Sequence, residues 1–137
     1  MQIETLFCDI VRTETQGKNL LVGVYPSNAM FVPFIPGGIT ISAFSRLTEL
    51  PAGVHQVEAT LYTSHDKNKP ENVFTSTINI KYPELPTPVI TGPAQVHLHD
   101  IGFVMLKIKV TTEQGAVIEA DAGKLFVGRS VPDDLHK

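Results

Sequence analysis

The chain has 137 residues, 42% of them apolar and 18% charged, and its eleven basic and fourteen acidic side chains leave a net charge of −3. That length suits one domain, residues 1–137, able to bury about two-thirds of the unfolded chain's surface without disulfides or a structural metal. The basic residues are scattered, which argues against a nucleic-acid partner, and no apolar window approaches the ~20 residues of a membrane-spanning helix.

The dominant pattern is short runs of alternating apolar and polar residues, cut by Gly and Pro, as half-buried strands require. Ile3 to Val11 alternates, with Leu6, Cys8 and Ile10 on one face and Thr5, Phe7 and Asp9 on the other. The polar stretch from Thr13 to Lys18 contains Gly17 and suits a hairpin connection. Asn19 to Tyr25 is the return strand, in which Gly23 marks a bulge or a close backbone approach. Ala29 to Val32, set among Pro26, Pro33 and Pro36, has room for no more than a short edge strand. Ile39 to Leu47 turns Ile39, Ile41 and Ala43 to one side, and Val54 to Thr63 turns Val57, Ala59 and Leu61 inward. A polar loop from Ser64 to Asn72 precedes Val73 to Tyr82, which aligns Phe74, Ile78 and Ile80.

Residues 83–93 hold four prolines, which offer no amide to a ladder. They are expected to be an extended connection with a short strand at Val89 and Ile90. Ala94 to Leu98 is a further short strand. Ile101 to Thr112 is a strand with Val104, Leu106, Ile108 and Val110 on one face. Glu113-Gln114-Gly115 is a hairpin loop, Ala116 to Ala120 returns, Asp121 to Lys124 is expected to turn, and Leu125 to Val131 is the last strand. Residues 132–137 are expected to fray. Eight or nine strands with no helical periodicity predict an all-β fold, an antiparallel β-sandwich of immunoglobulin-like or Greek-key type. Strand patterns leave a small closed barrel as the alternative.

The run Leu6-Phe7-Cys8-Asp9-Ile10-Val11-Arg12, followed by Gly17-Lys18, Leu21 and Gly23-Val24-Tyr25, resembles the opening of a family of small uncharacterised bacterial proteins. Their shared pattern pairs a CD-x-V/I-R strand with a GK-x-x-L-x-G-V/I-Y strand. The resemblance covers residues 6–25 and loosens beyond them. His99-Asp100-Ile101-Gly102 and Glu113-Gln114-Gly115 stand where members carry Pro-Gly and Asp-Gly. It implies a one-domain β-sandwich and brings no activity, cofactor or catalytic residue.

Few groups invite chemistry. Cys8 lies on a face with Leu6 and Ile10, where a free thiol acts as a small apolar side chain in a core, and no serine sits in a nucleophile elbow. His97 and His99, two apart on a strand, point to the same side, and a third ligand such as His55 would make them a zinc site. The loop holding Asp66, Asn68 and Glu71 lacks the spacing of a calcium loop and carries Lys67 and Lys69. No catalytic residue, cofactor or phosphate loop is singled out. Phe31, Phe34 and Ile35 lie in a proline-bounded segment and would form a partner surface if the segment leaves them exposed.

These features predict a non-enzymatic interaction or structural module, a homo-oligomer or an accessory subunit of an assembly, with a protein partner. The alternative is a metal-binding domain or metal-dependent enzyme built on His97 and His99. A carrier with an apolar cavity between its sheets is a third. One cysteine and no basic-then-apolar leader suit a reducing, cytoplasmic setting.

Overall fold

A computed structural model describes residues 1–130; the end of the last expected strand at Val131 and the tail expected at 132–137 lie outside them. Nine strands make up the described residues: β1 Gln2–Thr13, β2 Asn19–Val24, β3 Ala29–Val32, β4 Gly37–Thr48, β5 Gly53–Thr63, β6 Asn72–Ile80, β7 Thr87–Leu98, β8 Gly102–Thr111 and β9 Val117–Arg129. One sheet has the order β2-β1-β4-β7 and the other β3-β9-β8-β5-β6. All neighbours are antiparallel except β3, which runs parallel to β9. Two separate sheets exclude the closed barrel. The orders β1-β4-β7 and β9-β8-β5-β6 match the A-B-E and G-F-C-C′ orders of an immunoglobulin-like sandwich.

Alternation decides which side chains meet between the sheets. Ile39, Ile41, Ala43 and Leu47 of β4 and Val89, Ala94, Val96 and Leu98 of β7 face Val57, Ala59 and Leu61 of β5 and Val104, Leu106, Ile108 and Val110 of β8. Leu61 sits opposite Leu106 in the ladder, and both are buried. Removing these surfaces from water at about 25 cal/mol per Å² is the main stabilising contribution.

Three expectations need correction. Residues 87–93 are no mere connection: they form the first half of β7, continuous with Ala94–Leu98, and the register slips once, between Ile41 and Ala43 of its neighbour. Pro88 and Pro93 are tolerated because β7 is an edge strand. Asp121 to Lys124 does not turn. It is a bulge inside a continuous β9, where Leu106 pairs with Gly123 and Lys107 with Asp121, leaving Ala122 over. Finally, β1 buries Phe7 and half-buries Ile3 and Thr5, whereas Leu6 is 45% exposed and Ile10 is exposed as well. The face that carries Leu6, Cys8 and Ile10 is the outer one.

Candidate functional site

The first strand divides its partners. β1 pairs with β4 from Gln2 to Cys8 and with β2 from Cys8 to Thr13, so the two ladders share only Cys8. Beyond Cys8, β1 leaves β4 and continues with β2 as a two-stranded ribbon, five residues or about 17 Å long at the usual rise. Where the strands part, the Ser42 hydroxyl donates to the Asp9 carbonyl (3.2 Å) and closes the β1–β4 ladder.

The ribbon is braced on its other face by Asp9, Gly23 and Tyr25. Gly23 has a φ of +69°, and a Cβ there would overlap the Asp9 carboxylate. Glycine is needed both for the left-handed backbone and for the room. Into that room the Asp9 carboxylate accepts a hydrogen bond from the Tyr25 hydroxyl (2.6 Å). Burial, and next the bond to Asp9, push the Tyr25 phenol up to about 12.

On the outer face, the register places Leu6, Phe44 and Ile90 in one row across β1, β4 and β7. The next row is Val24, Cys8 and Ser42, followed by Val22 beside Ile10 and Leu20 beside Arg12. Leu6, Ile10, Leu20, Val22, Val24 and Ile90 are all exposed. Their exposed parts sum to roughly 400 Å² of apolar surface, within the range of the largest patch on a typical monomer and often functional. Cys8 is completely buried at its centre, yet it stands apart from the core between the sheets. Burial, with the Asp9 charge adding to it, raises the thiol's pKa, and its Sγ–H points to the Ile10 carbonyl (3.6 Å). Burial and the Asp9 charge suppress the thiolate that a nucleophile needs.

The opposite face of the molecule is of another kind. The outer side of the β3-β9-β8-β5-β6 sheet carries Lys107 paired with Glu119 (3.4 Å) and Lys109 with Glu58 (3.9 Å), with Lys107 also over the Tyr62 ring. Its β3 end carries a cluster of phenylalanines. There Phe31 packs edge-on against Phe126, Phe126 against Phe103, and Lys124 lies over Phe103. Gly128 lets the two rings approach, since a Cβ on it would meet Phe126 at 2.8 Å.

Of the expected partner residues, Phe31 (61%) and Phe34 (79%) are exposed, but Ile35 is buried in the core and drops out of that surface. The histidines do not converge. The His97 and His99 rings meet edge-to-face with centroids 4.7 Å apart. The His97 amide donates to the Glu71 carboxylate (3.0 Å), and the Asn72 side chain donates to the Gln95 carbonyl (2.7 Å), so the end of the loop before β6 and the first residue of β6 cap the free edge of β7. His55 lies at the other end of β5, fully buried. Its Nε2 is 2.7 Å from the Pro51 carbonyl and its Nδ1 is 3.1 Å from the Glu113 amide. A carbonyl only accepts and an amide only donates, so Nε2 carries the proton, Nδ1 is bare, and both are engaged. Among the described residues, no three His, Cys, Asp or Glu side chains are grouped to hold a metal ion.

The apolar outer face was missed from the sequence, although its signal is there. Both alternating sets of β1 are apolar, Ile3, Phe7 and Val11 on one side and Leu6, Cys8 and Ile10 on the other, where a strand with one solvated face needs only one set. Compared with known proteins, the chain matches no family model, no curated protein and no solved structure.

Proposed function

We propose that the chain is a non-enzymatic binding or structural module whose working surface is the outer face of the β2-β1-β4-β7 sheet, extended by the β1–β2 ribbon. One observation carries this reading: Leu6, Ile10, Leu20, Val22, Val24 and Ile90 form a continuous exposed apolar face, while the other sheet covers the middle of its outer side with ion pairs. An outer sheet face of this size in contact with water carries a standing free-energy cost that a protein partner removes. The chemistry-bearing groups lend support, since Cys8 is buried with its thiol pKa raised and both ring nitrogens of His55 are occupied.

The test places a photo-reactive side chain at Val22, on the ribbon face, or at Thr77, on the outer side of β6, in cells producing the full chain. Protein adducts should form at Val22 and be scarce at Thr77. Equal labelling at the two positions, or none at Val22, overturns the assignment of the surface.

A further inference from the structure

We infer that the occupant of this face is a second copy of the chain, docked about a two-fold axis that passes beside Cys8. The inference rests on the surface proposed above and names its partner.

The outward residues of β1 are Glu4, Leu6, Cys8, Ile10 and Arg12. The order is acid, apolar, thiol, apolar, base, and its spacing is symmetric about Cys8. An isologous contact needs a surface complementary to itself after a half-turn. Consider two copies packed face to face, with the axis in the plane between the sheets and perpendicular to β1. Each β1 then lies over the other in the opposite direction, so residue 8 faces residue 8, Leu6 faces Ile10, and Glu4 faces Arg12. The apolar residues meet at the centre, and unlike charges meet at both ends. A half-turn keeping the strands parallel would instead set Glu4 against Glu4 and Arg12 against Arg12. The charges of β1 itself thus favour the antiparallel arrangement. Both side chains are exposed and, among the described residues, neither lies within ion-pair distance of an opposite charge, although Arg46 stands directly across the ladder from Glu4.

Area points the same way. A standard stable interface buries about 800 Å² on each partner, of which roughly 56–65% is apolar, or about 450–520 Å². The exposed face supplies roughly 400 Å² before Phe44 and the aliphatic parts of its rim are added. That is the share one contact needs, with little left for a second partner on the same face. Small residues at the axis leave the larger side chains around them to make the contact, since the row of Cys8 continues into Ser42 and both are buried.

The test is sedimentation equilibrium of the purified full chain and three variants, Glu4→Arg, Arg12→Glu and the double swap. The wild-type chain should be dimeric at micromolar concentration. Each single substitution sets like charges against each other twice per dimer and should raise the dissociation constant at least about tenfold at low salt. The double swap restores both unlike pairs and should return to within about threefold of wild type. Both positions are exposed, so an unchanged circular dichroism spectrum will show that the monomer fold is intact in every variant.

A wild-type chain that stays monomeric to about 200 μM, far above any micromolar dissociation constant, overturns the inference. So does a dimer in which the double swap is no better than the singles, because then another register or another face makes the contact. If the purified chain is monomeric while Val22 cross-links to a different protein, the surface survives and self-association falls. If Val22 also forms no adduct, both fail.

Discussion

His55 gives the sharpest test of how the sandwich is closed at one end. Its ring spans the β4–β5 connection, through the Pro51 carbonyl, and the β8–β9 turn, through the Glu113 amide. Glu113 returns the contact with its carboxylate, which accepts from the Val54 amide (3.2 Å). His55→Phe keeps the ring's bulk and removes both hydrogen bonds. Leaving a buried partner unsatisfied costs about 1–3 kcal/mol. The two partners here belong to exposed residues, and water reaching them holds each cost near the lower end, about 1–1.5 kcal/mol. The expected loss is therefore about 2–3 kcal/mol. With an unfolding entropy of about 2.1 cal/mol/K per residue, roughly 0.29 kcal/mol/K for this chain, that lowers the melting temperature by about 7–10 °C. His55→Ala adds the void left by the ring and should cost about 2 kcal/mol more. The exposed His97 serves as control, and His97→Phe should stay within about 0.5 kcal/mol of wild type. Thermal and urea unfolding followed by circular dichroism measure all three, and hydrogen exchange at the Glu113 amide reports the local bond. A His55→Phe variant as stable as wild type, with that amide still protected, would refute the bridging role.

Other expected outcomes follow from single side chains. Among the described residues, the Thr91 hydroxyl is buried without a hydrogen-bond partner, so Thr91→Val should raise stability by about 1 kcal/mol in urea unfolding. Gly23→Ala forces an L-residue into left-handed backbone, at about 1–2 kcal/mol, and displaces the Asp9 carboxylate from Tyr25. In an Asp9→Ala background only the backbone cost should remain, so a double-mutant cycle should show about 1 kcal/mol of coupling. Burial and the bond to Asp9 push the Tyr25 phenol up to about 12, from an ordinary value of 10, so between those values the unfolded chain releases a proton that the native one keeps. Its stabilising contribution is whole below about pH 10 and is lost as pH rises through about 12. The difference in tyrosinate absorbance between wild type and Tyr25→Phe should show that late titration.

Much of the fold was legible because most strands have one apolar face. In β4, β5 and β8 the side chains that alternate in the sequence are those that fill the core, from Ile39 and Ile41 to Leu61 and Leu106. The misjudged segments have physical reasons. Pro88 and Pro93 imitate a linker, since only a neighbour list reveals that β7 is an edge strand. Asp121-Ala122-Gly123-Lys124 has the composition of a turn, but Gly123 packs beside Thr5 and Phe7 across the sandwich, and the extra residue is absorbed as a bulge. For β1 the alternation was clear and its direction was not, because two apolar faces carry no sign of which one turns inward. The candidate surface was illegible for that same reason. In contrast, Gly23, expected from the sequence to mark a bulge or a close backbone approach, acquires a physical account: Asp9, Gly23 and Tyr25 are the brace of the ribbon.

The treatment of the four edge strands argues that the ribbon is built for contact. An open edge invites pairing with another chain, and proteins blunt it with prolines, short strands, polar cover or bulges. β7 carries Pro88 and Pro93 and is capped by Glu71 and Asn72. β3 has four residues and stands between Pro26 and Pro33. β6 presents the polar run Thr75-Ser76-Thr77. β2 alone has none of these devices: its sequence, Asn19-Leu20-Leu21-Val22-Gly23-Val24, contains no charge and no proline. A chain able to protect three edges loses little by protecting the fourth, since one lysine at Leu20 or Val22 would do it at an exposed position. The unprotected edge and the apolar face belong to the same two strands, and each would be a liability if left in water. The dimer proposed above would cover the apolar face of these two strands, while the edge of β2 would stay open to in-plane pairing.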